Sequence, residues 1–271
     1  MQSADRTLEK PGIWDRWQQA GDTVSLARKV RAPALISIDA QPERITIDLS
    51  TSALMIIDMQ NDFLHDDGWF AQVRNANVAP LWAPIEPINA LSDMFRRAQV
   101  PVIHLNWGVR LDAANLPANV VDKASSCGRQ IGYSDPMTHG PVLVADSWGA
   151  RSVDGIDMAA TDYKVSKHRL SGFRDNELDQ ILRRLGITTI FYSGVNLDRC
   201  VFATLMDGCF QGYDAILVED ACATVSPEPM SQSILALVHM LYGFSAHSAA
   251  IIAAAQAQIP PSNSNQKQGE R

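Results

Sequence analysis

Cys200 closes the stretch Gly194-Val-Asn-Leu-Asp-Arg-Cys200, which follows a β-branched and aromatic run and opens a helical pattern. A cysteine on the first turn of a helix faces unpaired N–H groups and the positive end of the helix dipole. Both stabilise a thiolate, and the same N–H groups can hold an oxyanion. Cys200 is therefore a candidate nucleophile, with a buried structural cysteine as the alternative. Cys209 lies inside the same helical pattern and Cys222 follows an apolar run, so both read as structural, while Cys127 falls in a long irregular stretch. A nucleophilic cysteine needs a base or a cationic neighbour. Asp58 ends an apolar run, where an acid is poor strand material, and can serve as base or as turn former. Lys167 can supply a cation, and His168 beside it can form a Cys–His pair. His104 reads as a core residue of a strand. The 6 histidines show no metal-ligand spacing, and neither G-x-G-x-x-G nor G-x-x-x-x-G-K-[ST] occurs, so neither a metal site nor a nucleotide cofactor is expected.

Positioning these residues falls to alternating elements. Apolar runs of strand length cover 53–57, 101–105, 187–192 and 215–218. Helical periodicity covers 85–98, opened by Pro84 and Pro87, then 176–185, 198–211 and 228–241. Asn176 is a cap and Gly186 a stop for the second of these. Such alternation predicts βαβ units, hence an α/β fold with a mostly parallel sheet and helices on both faces. Sites in such sheets lie at the carboxyl ends of strands, which here means Asp58, Asn106-Trp107 and 193–200. The long, weakly periodic segment 108–162 is expected to cover that site.

The chain has 271 residues and a net charge of −7, with 23 Lys and Arg against 30 Asp and Glu. That balance argues against nucleic acid or an anionic membrane as partner, since both require a basic face. Residues 1–45 lack a clean period and predict an N-terminal arm in which Trp14 and Trp17 could dock on another subunit. One domain is expected over 46–258 and a disordered tail over 259–271. No leader-like apolar segment opens the chain, and its 4 cysteines suit a reducing compartment, so a soluble cytoplasmic protein is expected.

Three stretches then carry a resemblance: Leu54-Met-Ile-Ile-Asp-Met-Gln-Asn-Asp-Phe63, Lys167-His-Arg-Leu-Ser-Gly-Phe173 and Ser193-Gly-Val-Asn-Leu-Asp-Arg-Cys-Val201. In order and position they resemble the motifs of the isochorismatase-like cysteine hydrolases. The resemblance implies a three-layer αβα fold and an Asp58–Lys167–Cys200 triad without metal or organic cofactor. Asp58 would take the proton of Cys200 and return it to the leaving amine, with Lys167 bonded to both. It further implies a cis peptide at Val195–Asn196 and an oxyanion hole from the N–H groups of Asn196 and Cys200. Homo-oligomers, dimers or tetramers, are common among such proteins.

Within the family, nicotinamidases carry an Asp-x-His metal site where this chain reads His104-Leu-Asn-Trp-Gly108, and isochorismatase proper lacks the cysteine. Both activities are disfavoured. Trp82-Ala-Pro-Ile-Glu-Pro87, Leu111-Asp-Ala-Ala-Asn-Leu-Pro117 and Ile131-Gly-Tyr-Ser-Asp-Pro136 are similar to biuret hydrolases; Gln41-Pro-Glu-Arg-Ile-Thr-Ile-Asp48 and the lysine motif are similar to ureidoacrylate amidohydrolases. Both subfamilies act on a ureido group, so the expected substrate is a small linear ureide of the biuret or triuret type, with a ureidoacrylate or N-carbamoyl acid as the alternative. Phe63, Asn106, Trp107, Arg110, Arg129 and His239 are candidate substrate contacts, with Arg110 and Arg129 as the cations a carboxylate would need, and Trp69 a further pocket wall. The chain departs from the pattern at Asn196, Leu197 and Arg199: Asn196 could bond a urea-like group, and Arg199 either points into an interface or changes which substrate end fits. A non-catalytic binding protein on this fold would need none of the triad, and a thiol redox protein would need a nearby resolving cysteine.

Overall fold

A computed structural model describes residues 17–27 and 31–257. Trp14 and the tail expected over 259–271 lie outside the described residues. An exposed hairpin (β1, Gln18–Ala20; β2, Thr23–Ser25) precedes a second one (β3, Leu35–Ile38; β4, Ile45–Asp48). In β3 exposed and buried residues alternate, so Ile36 and Ile38 enter the core, as the period of a half-buried strand requires.

The fully buried β5 (Ser52–Ile57) leads through two short helices (α1, Asn61–Leu64; α2, Trp69–Gln72) to α3 (Ile85–Arg97) and β6 (Val102–Trp107). The segment 108–162 holds α4 (Ala118–Ala124) and a minimal hairpin (β7, Pro136–Met137; β8, Gly140–Pro141). Then come β9 (Tyr163–Lys167), α5 (Leu178–Leu185) and β10 (Thr189–Val195). Gly186 ends α5 at φ 68°, the expected left-handed stop, whereas the N-cap position falls to Glu177 and Asn176, one residue earlier, accepts the Leu178 N–H at 2.9 Å through its side chain. A π-helical turn (Leu197–Val201) runs into α6 (Phe202–Phe210), followed by β11 (Asp214–Ala223) and α7 (Glu228–Leu237). Another π turn (Val238–Tyr242), β12 (Gly243–Ala246) and α8 (Ser248–Gln256) complete the described chain.

The central sheet has six strands in the order β12-β11-β10-β5-β6-β9. Every neighbouring pair is parallel. Consecutive strand residues point to opposite faces, and both faces are covered. Phe191 meets Phe95 of α3 at 5.1 Å between ring centroids, while Tyr192 packs its hydroxyl against Gly208 of α6. The fold is the three-layer αβα arrangement, with isoleucine, leucine, valine and aromatic side chains filling both interlayer spaces.

Two strands of the central sheet, both of them edges, escape the sequence reading, as do the strands of the three small hairpins. β9 carries Lys164, Ser166 and Lys167, and β12 contains glycine and serine, because an edge strand has one neighbour and needs no continuous apolar run. The helices expected over 198–211 and 228–241 are interrupted instead by the two π turns.

Candidate active site

Strand order reverses between β5 and β10: the chain moves from β5 outward to β6 and β9, then returns to β10 and proceeds to β11 and β12. The carboxyl ends at such a switch point leave a crevice. Asp58 follows β5, Trp107 ends β6, Lys167 ends β9, and Cys200 follows β10. The sheet thus gathers residues that lie up to 142 positions apart (200 − 58) into one place.

Asp58 has φ 54°, which turns its side chain back over the strand ends. One carboxylate oxygen accepts the Trp107 backbone N–H at 3.1 Å; the other lies 2.9 Å from Lys167 Nζ. Lys167 Nζ also donates to the Arg169 carbonyl at 3.1 Å and sits 4.3 Å from the centroid of the Trp107 ring. Both members of the ion pair are buried, with side-chain exposures of 0% and 1%. Trp107 Nε1 donates to Cys200 Sγ at 3.5 Å, and the Asp58 carboxylate acts on the thiol electrostatically. Burial pushes the Cys200 thiol up to about 12, reinforced by the Asp58 charge and opposed by Lys167 and the indole N–H. Burial also pushes the Asp58 carboxyl above its ordinary range, against the pull of Lys167 and its hydrogen bonds. A proton can therefore pass between thiol and carboxylate in a dry, cation-braced site.

Close backbone approach holds this geometry. The Val195–Asn196 peptide is cis. Gly194 has φ 110°, and a Cβ there would stand 2.0 Å from the Ile57 carbonyl oxygen. Thr204 accepts the Gly172 N–H at 3.0 Å and donates to the Cys200 carbonyl at 2.6 Å, tying the lysine segment to the cysteine turn.

Asp58 and Cys200 line a cavity of about 740 Å³ together with Phe63, Trp69, Phe70, Trp107 and Tyr133. The rings pack edge to face and tilted, with Trp107–Tyr133 at 4.9 Å and Trp69–Tyr133 at 5.3 Å between centroids.

The isochorismatase domain family matches residues 52–249, which include all of these groups. The chain belongs to the isochorismatase domain family. The ureidoacrylate amidohydrolase RutB of Azorhizobium caulinodans is 28% identical over 226 residues, 83% of this chain and 98% of that one. The solved cysteine hydrolase of Pseudomonas syringae superposes with a TM-score of 0.67 at 22% identity, covering 78% of this chain and 95% of its own. The N-carbamoylsarcosine amidase of Thermoplasma acidophilum gives 0.56 at 26% identity, with coverages of 73% and 96%.

In this member of the isochorismatase domain family, several expected contacts stand elsewhere. Phe63 and Trp107 line the cavity, but Asn106, Arg110, Arg129 and His239 do not. Asn106 bonds Ser152 at 3.0 Å beside a separate hollow shared with His104. Arg110 forks onto Asp112 at 2.8 and 2.6 Å, two residues away, so its charge is already matched. Arg129 is exposed on the surface, and His239 bonds Ser245 at 2.7 Å. His168 is outside the cavity, and burial lowers its pKa. Arg199 does enter the cavity rather than pointing wholly away.

Sequence reasoning missed Gln60, Asp62, Arg74, Lys123 and the lining role of Tyr133. Gln60 accepts the Trp107 N–H at 2.9 Å and donates to the Trp107 and Ala150 carbonyls at 2.8 and 2.7 Å. Asp62 accepts the N–H groups of Trp69 at 3.3 Å and Leu143 at 2.8 Å. Their signal was present in the Asp58-Met-Gln-Asn-Asp62 run, where buried polar residues follow a strand and must have partners.

Among the described residues no helix is long and apolar enough to cross a membrane, and no group of three His, Cys, Asp or Glu side chains is arranged for a metal ion.

Proposed function

We propose that this chain is a cysteine-dependent amidohydrolase that cleaves a ureido or carbamoyl C–N bond of a small linear ureide and releases ammonia. The reading is carried by the buried Asp58–Lys167 ion pair, 2.9 Å long, meeting the Cys200 thiol at the floor of an aromatic-walled cavity. Cys200 Sγ attacks the carbonyl carbon as its proton passes to Asp58. The oxyanion that forms is held by the backbone N–H groups of Asn196 and Cys200. Collapse breaks the C–N bond, Asp58 returns the proton to the leaving nitrogen, and ammonia departs. A water molecule then gives a proton to Asp58 and attacks the thioester-like carbonyl; thiol and carboxylate are regenerated. Lys167 fixes the carboxylate throughout and offsets the negative charge that moves between Asp58 and Sγ.

A ureide fits for two reasons. The relatives named above act on ureidoacrylate and on N-carbamoylsarcosine, both of which carry a carbamoyl group. Asn196 Oδ1 is engaged by the Val225 N–H at 3.1 Å and Thr224 at 3.3 Å, which leaves the amide N–H groups of Asn196 for a substrate carbonyl. Biuret, triuret and carbamoyl acids share this reacting end.

The test is an ammonia-release screen over biuret, triuret, ureidoacrylate, N-carbamoyl amino acids and nicotinamide, with Cys200→Ala alongside. Release from ureides, a covalent adduct on Cys200 by mass spectrometry and a silent variant are expected. Ammonia release that persists in Cys200→Ala overturns the nucleophile, and no release from any ureide overturns the substrate class.

A further inference from the structure

We infer that Arg199, with Arg74 and Lys123 lining the same cavity, binds a carboxylate on the substrate, so that this site selects ureides of the N-carbamoyl acid type over neutral ones. The inference rests on the ureide-hydrolase reading for the reacting end and adds the chemistry of the other end.

Charge is distributed unevenly in this molecule. The chain as a whole carries −7, yet its main cavity is lined by three permanent or near-permanent cations, Arg74, Lys123 and Arg199, and by a single acid, Asp58. Asp58 is already paired with Lys167, so positive charge is in excess among the lining residues. A cleft of one sign with apolar walls concentrates the field on its contents.

None of the three cations is neutralised by close pairing. Arg74 bonds neutral acceptors, the Gln130 side chain at 3.2 Å and the Lys123 carbonyl at 3.3 Å, and lies 5.0 Å from the Trp69 ring centroid. Lys123 forms no ion pair among the described residues. Arg199 reaches Asp198 at only 3.7 Å, and that carboxylate is occupied by Thr224 and by Ser226 at 2.8 Å. The guanidinium also donates to Ser226 at 3.2 Å, and its Cζ lies 5.6 Å from the Phe70 ring centroid. A guanidinium has five N–H donors in a fork that matches a carboxylate, and most of these stay available. Arg199 precedes Cys200 directly, on the turn that presents the nucleophile.

The rings of Phe63, Trp69, Phe70, Trp107 and Tyr133 line the same cavity. A volume of about 740 Å³ far exceeds what biuret fills. A substrate with a carbamoyl head, a flat or apolar middle and a carboxylate tail uses triad, rings and cations together. Biuret and triuret supply nothing for the cations.

The experiment compares kcat/KM for N-carbamoyl-phenylalanine and for its uncharged carboxamide, in the wild type and in Arg199→Gln, Arg199→Lys and Arg74→Gln. Losing a charge-assisted bond to a carboxylate lowers the acid-to-amide ratio by about 10- to 100-fold in Arg199→Gln. The loss should reside in KM, with partial recovery in Arg199→Lys and a smaller loss in Arg74→Gln. An unchanged ratio overturns the inference. A second readout does not require turnover: alkylation of Cys200 by iodoacetate relative to iodoacetamide. The wild type should favour the anionic reagent more than Arg199→Gln does. If no ureide is turned over, the hydrolase reading fails while the alkylation ratio still decides the anion site; an equal ratio in both proteins sinks the anion site on its own.

Discussion

Trp107 donates its indole N–H to Cys200 Sγ at 3.5 Å, and the face of the same ring carries the Lys167 ammonium 4.3 Å from its centroid. One side chain thus touches both the cation and the sulfur, beside the Asp58–Lys167 pair. A cation over an indole draws density from the ring and strengthens its N–H as a donor. The donor favours thiolate over thiol, in opposition to burial.

Trp107→Phe keeps an aromatic face and removes the donor. A hydrogen bond to a charged group contributes about 1.5–3 kcal/mol, so kcat/KM should fall about 10- to 100-fold. The pH at which iodoacetamide labels Cys200 half-maximally should move upward. Unchanged labelling would show that the indole N–H does not touch the reactive form.

Asp58 must be ionised to accept the thiol proton, and burial raises its pKa. The acid limb of kcat/KM should therefore lie above the ordinary carboxylate value of about 3.9, with activity rising as pH rises through it. Measured on a neutral ureide, whose own charge is constant, the limb belongs to the enzyme. Asp58→Asn should abolish the limb, lower kcat by about 10²- to 10⁴-fold and cost about 3–5 kcal/mol of stability, because Lys167 is left buried without its counter-ion. Near-normal kcat would assign the base elsewhere.

Asp162 makes a separate pH prediction. Burial alone would raise its pKa, but hydrogen bonds from His104, Arg96 and the Ala159 N–H hold it well below the carboxylate range. A depressed folded pKa stabilises the fold above the unfolded value, near 3.9, and that stabilisation disappears as pH falls through the folded value. Asp162→Asn should lower Tm at pH 7, and the gap to the wild type should narrow below about pH 4. A gap independent of pH would mean that the ionised form is not what ties α3 to β6.

Gly194→Ala should not give active protein. The new Cβ would stand 2.0 Å from the Ile57 carbonyl oxygen at a φ of 110°. The backbone that carries Asp58 would have to shift, at a cost of about 3 kcal/mol or more. Thermal melts and ammonia release from the purified variant check this; wild-type Tm and rate would contradict the close approach.

The parts of this fold that were legible in the sequence share one property: their signals are local. Asp58, Lys167 and Cys200 each end or follow a strand within a short motif, and a parallel sheet brings strand ends together automatically. Gly186 and the buried runs of β5 and β10 are equally local. Arg74, Lys123 and Tyr133 were illegible because α2, α4 and the segment around β7 reach the cavity through loop packing, without periodicity to announce it. Arg110 was misplaced for a related reason. Its partner, Asp112, sits two residues away, and nothing in their spacing tells a satisfied pair from a cation awaiting a ligand. The edge strands β9 and β12 were hidden by their polarity and shortness.

Part of the cavity wall comes from the 108–162 segment, which is fastened to the turn after β5. Gln60, Asn61 and Asp62 grip the 108–162 segment at the Ala150 and Trp148 carbonyls and the Leu143 N–H. Asp62→Ala would leave two buried N–H groups unmet, at about 1–3 kcal/mol each, and should raise KM more than it lowers kcat. Kinetics on one ureide, with limited proteolysis of the segment, reads both effects.

That fastening makes the protein separable into a reaction module and a recognition module. The strand ends carry Asp58, Lys167 and Cys200, while the segment between β6 and β9, clipped to three consecutive residues after β5, adds Lys123 and Tyr133 to walls that also draw on the segment after β5 and on Trp107 of β6. Exchanging that segment while keeping its anchor points is a route by which descent, or a designed library, could retarget the chemistry without rebuilding the sheet.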